Sequence, residues 1–131
     1  MKAPAKCAAI LSLTLAIGAC NRVTLNDERT VEVPVGTFKM INLDAVKSDQ
    51  RVKVDISSPG AAVSVYVGLE KDLDAIEQAV EAQKASDKIL ASSEKTEAAT
   101  LEATIPAGNS AVIVLTSAAG KTASVKVKTT N

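Results

Sequence analysis

The thiol of Cys20 is the side chain of this 131-residue sequence with the clearest capacity for covalent chemistry, because of the residues that precede it. Lys2 and Lys6 give the chain a basic start, and the twelve residues 8–19 carry no charge. A basic start followed by a short apolar run is typical of a secretory signal peptide. A membrane-spanning helix needs roughly 20 apolar residues. We therefore predict that residues 1–19 are a helical signal peptide that is removed, and not a permanent span.

The residues around the predicted cleavage site, between Ala19 and Cys20, distinguish two kinds of processing. An ordinary signal peptidase prefers small residues at positions −3 and −1, whereas Ile17 at −3 is large and branched. The segment Ile17-Gly18-Ala19-Cys20 resembles the lipobox of bacterial lipoproteins. The resemblance implies that the Cys20 thiol receives a diacylglycerol and that Cys20 becomes the first residue of the mature chain. The alternative is a short buried helix in which Cys20 is a small apolar residue.

Lipidation at Cys20 would make membrane lipid the first partner of the chain. Each buried methylene contributes about 0.8 kcal/mol, and two or more acyl chains anchor a protein stably. In enterobacterial lipoproteins an aspartate after the lipidated cysteine signals inner-membrane retention, so Asn21 favours the outer membrane over the inner membrane.

Residues 20–29 are predicted to be the lipidated N-terminus and a tether, or an irregular first strand. One domain is predicted over residues 30–131, which is too short for two.

The remaining sequence offers little for catalysis or for nucleic-acid binding. The chain has no histidine, and Cys7 is discarded with the signal peptide, so no disulfide and no common general base remain. We predict no catalytic residue and no cofactor, and that the protein is not an enzyme. Removing Lys2 and Lys6 reduces the 15 basic residues to 13, against 15 acidic residues. A net charge of about −2 provides no basic footprint for nucleic acid.

Two groups of acidic residues are candidates for a calcium site: Asp72, Asp74 and Glu77, and the segment Asn26-Asp27-Glu28. Calcium takes six to eight oxygen ligands from such loops. Their spacing lacks the Asp-x-Asp-x-Asp-Gly plan with a distal glutamate that makes a calcium loop specific. The dipole of a helix that begins near Asp72 accounts for these carboxylates without a metal. We therefore predict no metal site.

Alternating apolar and polar residues predict a mainly β domain of about seven short strands. The alternation is clearest in residues 51–57 and 62–67, and the turn Ser58-Pro59-Gly60 between them predicts an antiparallel hairpin. The other predicted strands are residues 30–35, 37–43, 100–105, 111–116 and 123–128. The apolar run 111–116 predicts a central strand.

Two predicted strands carry residues that are typical of a sheet edge. Pro34 cannot donate a ladder hydrogen bond, so it places the first strand at an edge. The outward-facing Lys126 and Lys128 are typical of an edge strand that is protected against pairing with another chain.

The hydrophobic period changes to that of a helix in the middle of the chain. Apolar residues recur at spacings of 4, 3 and 4, at Leu69, Leu73, Ile76 and Val80. Asp72 and Asp74 in the first turn and Lys84 in the last turn match the helix macrodipole. We predict one inserted α-helix near residues 71–84, whose apolar stripe packs on the sandwich in preference to docking a partner. Residues 85–98 are predicted to be a polar connecting stretch around Ile89 and Leu90.

About seven strands with one helix predict a single antiparallel β-sandwich. The arrangement from residue 37 to residue 128 resembles the bacterial pre-peptidase C-terminal domain. The resemblance rests on the order of the predicted strands. A strand over residues 38–43 is followed by one over 52–56 and, after a turn, by one over 63–67. A strand and turn over residues 101–108 come later, and two closing strands follow them. The resemblance implies a jelly-roll-like sandwich that serves as an accessory module without catalysis of its own. Such modules are implicated in secretion, substrate contact or calcium binding.

The sequence therefore predicts a membrane-anchored, non-enzymatic β-sandwich of the bacterial cell envelope that gives structural support or binds an envelope protein partner. The alternative is an accessory module that recognises carbohydrate or calcium through its loops. Phe38 and Tyr66 are the only aromatic residues, and the chain has no tryptophan. The usual stacking platforms of sugar sites are therefore scarce.

Overall fold

The computed structural model describes residues 26–131, which form two four-stranded antiparallel sheets and one short α-helix. In chain order the strands are β1 (Asn26–Val33), β2 (Phe38–Leu43), β3 (Gln50–Ser57), β4 (Val63–Leu69), β5 (Ile89–Thr96), β6 (Ala98–Ile105), β7 (Ala111–Ser117) and β8 (Ala123–Thr130). The first sheet has the order β1-β8-β3-β6, and the second has the order β2-β7-β4-β5.

The strand order is that of a jelly roll. Strands β1 to β4 pair in turn with β8, β7, β6 and β5, so the chain forms one long antiparallel ribbon. Wrapping the ribbon on itself joins β3 to β8 and β4 to β7, which produces the two sheets. The prediction of a mainly β, jelly-roll-like sandwich with one helix is confirmed. The domain has eight strands, because β5 lies in the stretch predicted to be a connection.

The main core lies between the two sheets and is made by alternate residues of the strands. Strands β4 and β7 are central in the second sheet, and apolar layers cover both of their faces. Every residue of β4 is therefore buried, as are the first five residues of β7. This confirms that residues 111–116 belong to a central strand. The fully buried inward side chains include Val33, Val52, Val63, Val65, Ile113, Leu115 and Val125.

Helix α1 (Leu73–Ala82) covers the outer face of the second sheet, after a 3-10 turn over Glu70–Asp72. Ile76 is fully buried there against Tyr66, Val112 and Val114. The apolar stripe thus packs on the sandwich, as predicted. Leu69 is the exception, because it belongs to β4 and to the main core.

The helix ends earlier than predicted. It stops at Ala82, and Lys84 lies beyond it, so its last turn contains no basic residue. The expected match between Lys84 and the negative end of the helix dipole is therefore wrong, whereas Asp74 lies in the first turn as predicted.

Two predicted strand positions are also wrong. Strands β3 and β4 do not form a hairpin, because the turn after Ser57 carries the chain from the first sheet to the second. Strand β8 is not an edge strand, since it lies between β1 and β3. Its lysines point to solvent on the outer face of the sheet, where Lys126 lies 3.2 Å from a carboxylate oxygen of Glu28. Outward-facing lysines are therefore compatible with a central strand whose outer face lies in solvent.

Strand β1 is an edge strand, as Pro34 predicted, but it ends at Val33 and does not include Pro34 and Val35, which the sequence placed in it. It begins at Asn26, so it includes residues 26–29, for which the sequence predicted either a tether or an irregular first strand. The predicted signal peptide, the cleavage site at Ala19 and Cys20, and the lipidation of Cys20 lie outside the described residues. Within residues 26–131, no helix is long and apolar enough to span a membrane.

Candidate functional site

A cavity of about 280 Å³ opens on the outer face of the second sheet, where α1 ends. Strands β4 and β5 contribute its sheet wall, and the four residues that follow α1 contribute its other wall. The lining residues are Tyr66, Ile89, Ser92 and Glu94 from the strands and Gln83, Lys84, Ala85 and Ser86 from the segment after the helix. The cavity therefore combines an aromatic ring, a carboxylate, an amine, an amide, hydroxyls and two apolar side chains.

Tyr66 and Glu94 form the polar pair of this cavity. Tyr66 lies on central strand β4, and only 6% of its surface is exposed because it packs beside Ile76 beneath the helix. Its hydroxyl donates a hydrogen bond of 2.9 Å to Oε2 of Glu94 on edge strand β5. The pair thus joins a rigid buried ring to a carboxylate at the rim of the sheet.

Strand β5 has two bulges, and the residues that it contributes to the cavity, Ile89, Ser92 and Glu94, lie within or near them. Between the pairs Val63↔Thr96 and Val65↔Ser93, β5 has two residues where β4 has one, Ser64. Lys95 in this bulge adopts a left-handed backbone conformation with a φ of 53°. Its backbone N–H donates a hydrogen bond of 3.1 Å to the Ser64 hydroxyl. A second extra residue, Leu90, lies near the other end of the strand. Bulges of this kind are common beside binding sites.

The turn after α1 supplies the opposite wall. Lys84 N–H donates to the carbonyl of Ala79 over 2.9 Å and Gln83 N–H to that of Val80 over 3.2 Å, the pattern of a Schellman motif. This motif places Gln83 in the left-handed region with a φ of 54°, where glycine is the usual residue.

In residues 26–131 two non-glycine residues have positive φ, Gln83 and Lys95. Gln83 lines the cavity, and Lys95 follows Glu94, which also lines it. Strained backbone of this kind concentrates at functional sites.

Tyr66 is expected to titrate near pH 12. Burial raises its pKa from 10.0 to about 12, and the hydrogen bond and negative charge of Glu94 act in the same direction. Between pH 10 and 12 the folded state therefore binds more protons than the unfolded state, so the contribution of Tyr66 to stability is complete below pH 10 and is lost as the pH rises to 12. Because the chain has one tyrosine and no tryptophan, tyrosinate absorbance near 295 nm measures this pKa directly.

A matched pair of variants separates the two causes of the shift. Glu94→Gln should lower the pKa of Tyr66 but leave it above 10, since burial is the larger cause. Glu32→Gln, on the distant strand β1, should leave the titration unchanged. A wild-type midpoint at pH 10 in protein that circular dichroism shows to be folded would contradict the buried Tyr66–Glu94 pair.

The acidic residues considered as calcium ligands lie in different places. Asp27 forms an ion pair of 2.8 Å with Arg29, and Glu28 lies beside Lys126. Asp72 and Asp74 stand at the start of α1. In the part of the chain that the structure describes, no three Asp, Glu, His or Cys residues form a group that could hold a metal ion.

The serines divide between turns and strands. Ser58 is fully buried, and its hydroxyl donates to the carbonyl of Ala61 in the turn between the sheets. Ser117 hydrogen-bonds the carbonyl of Lys121 across the last turn. Ser92 and Ser93 belong to β5, and Ser92 lines the cavity.

Sequence reasoning missed the Tyr66–Glu94 site. In the sequence Tyr66 stands out only as one of two aromatic residues, and Glu94 belongs to the stretch predicted to be a connection. Residues 28 positions apart meet here because β5 pairs with β4. A polar strand at a sheet edge gives little hydrophobic signal, so this pairing could not be inferred from the residues.

Comparison with known proteins supports the fold. No protein-family profile and no curated protein matches the sequence. A crystal structure of a mitogen derived from Yersinia pseudotuberculosis is similar with a TM-score of 0.56 and 8% identity, over 82% of this chain and 86% of that chain. The pre-peptidase C-terminal domain of a collagenase from Bacillus anthracis is similar with a TM-score of 0.54 and 11% identity, over 83% and 92% of the two chains. The predicted resemblance to the latter domain thus holds at the level of the fold.

Proposed function

We propose that the chain is a lipid-anchored, non-enzymatic jelly roll of the bacterial cell envelope that supports or binds an envelope protein. The observation that carries the proposal is the lipobox-like segment Ile17-Gly18-Ala19-Cys20, followed so closely by the folded domain. Five residues, 21–25, separate Cys20 from the start of β1 at Asn26. Five residues span at most about 18 Å. Lipid on Cys20 would therefore hold the sandwich close to the membrane surface, the outer membrane in our proposal.

The chemistry of the cavity supports binding in preference to catalysis. A tyrosine with a pKa near 12 stays protonated at neutral pH, so Tyr66 is a hydrogen-bond donor and a poor general base. Its hydroxyl donates a hydrogen bond to Glu94, whose carboxylate, when ionised, can accept hydrogen bonds but not donate them. Such a pair can orient a bound group without reacting with it.

Replacing Cys20 by alanine tests the anchor. In a bacterial host, the wild-type chain should be cut before Cys20, incorporate labelled palmitate and fractionate with the outer membrane. Cys20→Ala should accumulate as the uncut, unlabelled precursor, because the acyl acceptor is missing. Cys7→Ala is the matched control, since it removes the other thiol and should be processed normally. A Cys20→Ala chain that is cut to normal length without lipid would refute the proposal.

Carbohydrate binding is a second candidate function, and the composition of the cavity favours it. Glu94 and Ser92 offer hydrogen-bonding oxygens, Tyr66 offers an aromatic ring, and Ile89 an apolar contact, within a cavity of about 280 Å³. Titration of the protein with a panel of hexoses, followed by amide NMR shifts, tests it. Shifts around the cavity that weaken in Glu94→Gln and persist in Glu32→Gln would support this role, whereas a panel without any shift there would reject it.

A further inference from the structure

The cavity at the end of α1 contains one charge of each sign. Of the eight residues that line it, Glu94 and Lys84 are the two that are charged at neutral pH. Glu94 lies on the sheet wall, and Lys84 lies on the opposite wall, two residues after the end of the helix. Among residues 26–131, neither forms an ion pair within 4.0 Å. Both charges are therefore available to a bound molecule.

The carboxylate of Glu94 is positioned by a buried ring. Its Oε2 accepts the hydrogen bond of 2.9 Å from the Tyr66 hydroxyl, and the Tyr66 ring packs with Ile76 beneath α1. In the described part of the chain, no hydrogen bond reaches the other carboxylate oxygen, Oε1. One oxygen thus fixes the carboxylate, while the other can accept a hydrogen bond from a ligand. Hydrogen bonds between a carboxylate and an ammonium group are among the strong ones.

The backbone that carries Lys84 is fixed by the end of the helix. Its N–H donates to the carbonyl of Ala79 over 2.9 Å, in the Schellman motif around Gln83. The side chain keeps a flexible stem, and its ammonium group can donate three hydrogen bonds. Ser86 adds a hydroxyl to the same wall. These donors favour a carboxylate on the ligand.

The two walls together select a ligand with two charges. An ammonium ligand bound at Glu94 would also be repelled by Lys84, and a carboxylate ligand bound at Lys84 would be repelled by Glu94. A neutral ligand would leave both attractions unused. A molecule that carries an ammonium group and a carboxylate complements both walls at once.

The volume and the apolar residues of the cavity restrict the rest of the ligand. Its volume of about 280 Å³ lies just below the roughly 300–1,000 Å³ that is usual for pockets of drug-sized ligands. Ala85 and Ile89 offer contact to a few apolar atoms. We propose that the cavity binds a small apolar α-amino acid, with its ammonium group at Glu94 and its carboxylate at Lys84. The inference uses the cavity of the second candidate function, but it requires neither sugar binding nor the lipid anchor.

Three probes of nearly the same shape test the two charges without any substitution. L-Leucine carries both groups, isopentylamine lacks the carboxylate, and isocaproate lacks the amine. In amide NMR titrations of the full chain at neutral pH, leucine should shift the resonances of residues 83–86, Ser92 and Glu94. The other two probes should bind roughly two- to fivefold more weakly, since each loses one attraction to an exposed charge. Leucine that shifts none of these amides, or isopentylamine that binds as tightly as leucine, would overturn the proposal.

Matched substitutions assign each charge to its group on the ligand. Glu94→Gln should weaken the binding of leucine and isopentylamine. Lys84→Gln should weaken leucine binding but not isopentylamine binding, because it removes a charge that repels the amine. Glu32→Gln and Lys53→Gln, on the first sheet, should bind leucine as the wild type does. All four residues are exposed, so the circular dichroism spectra should not change. Leucine binding that is unaffected by both cavity substitutions would refute this mode of binding.

The hexose panel and the leucine titration observe the same amides but give separate results. Shifts with a hexose and none with leucine would reject the amino-acid proposal and leave carbohydrate binding supported. Shifts with leucine and none with any hexose would support the amino-acid proposal and reject the sugar. The processing of Cys20→Ala bears on neither result, because the cavity lies within the folded domain.

Discussion

Truncation of Leu115 to alanine is expected to lower the free energy of unfolding by roughly 2–5 kcal/mol. Leu115 lies on β7, is fully buried between the two sheets, and pairs with Lys39 on one side and Val65 on the other. The cost combines the lost transfer free energy of the side chain with the cavity that remains, since neighbouring strands on both sides prevent collapse. A domain of this size has a total stability of about 5–15 kcal/mol.

Met40→Ala is the matched control for Leu115→Ala. Met40 lies on the adjacent strand β2, has a similar volume, and is 46% exposed. Its truncation should change the free energy of unfolding by about 0.5 kcal/mol or less. Urea unfolding followed by far-ultraviolet circular dichroism suits both variants, because the chain lacks tryptophan. Equal losses in the two variants would mean that the jelly-roll core does not lie between these sheets.

Much of the fold was predictable because alternation along a strand records which face is buried. In β3 the alternation of Val52, Val54 and Ile56 with polar residues corresponds to one buried face and one solvent face. The helix was predictable for the same reason, since Ile76 lies in the middle of an apolar stripe. Periodicity therefore predicted the first and last residues of β3 and of the helix to within two or three residues of their bounds in the structure.

The partners of the strands were less predictable, because periodicity contains no information about which strand lies alongside. The turn after Ser57 has the composition of a hairpin turn, yet two of its backbone N–H groups form hydrogen bonds to Glu97, which is distant in sequence. Ser58 N–H donates to the carbonyl of Glu97 over 2.7 Å, and Gly60 N–H donates to that residue's carboxylate over 3.0 Å. Contacts with a distant segment thus accompany the crossing between the sheets.

The candidate site was beyond prediction for a related reason. Glu94 reaches Tyr66 because β5 is an edge strand whose two bulges break the alternation that would have revealed it. Its sequence, ILASSEKT, has few residues that favour a strand, and the tertiary pairing with β4 overrides that local preference.

The close approach of α1 to the second sheet depends on Gly68, and Gly68→Ala is expected to destabilise the domain by about 2–3 kcal/mol. A Cβ at this position would overlap Cδ1 of Ile76 and lie 2.9 Å from the backbone oxygen of Lys88. The Ile76 side chain could rotate, but the Lys88 carbonyl can move only with its backbone. Overpacking of this kind typically costs 1–3 kcal/mol. In an uncrowded strand the same substitution would instead be favourable.

A double-mutant cycle identifies the overlap as the cause. Ile76→Val removes the atom that the new Cβ would overlap, and alone it should cost about 0.5–1.5 kcal/mol. Combined with Gly68→Ala, it should cost less than the sum of the single effects, because the added methyl occupies the vacated space. The rescue should be incomplete, since the Lys88 oxygen remains. Strictly additive costs, or a neutral Gly68→Ala, would show that the helix does not rest on this glycine.

The same variant should also alter the cavity, because burial beneath α1 is the largest cause of the raised pKa of Tyr66. Displacement of the helix by Gly68→Ala exposes the ring and should move its titration midpoint from about 12 toward 10. Leu115→Ala acts on the opposite side of the second sheet and should leave that midpoint near 12 while the protein remains folded. The absorbance titration thus separates loss of helix packing from general loss of stability, and it identifies Gly68 as the residue that links the fold of the sheet to the geometry of the site.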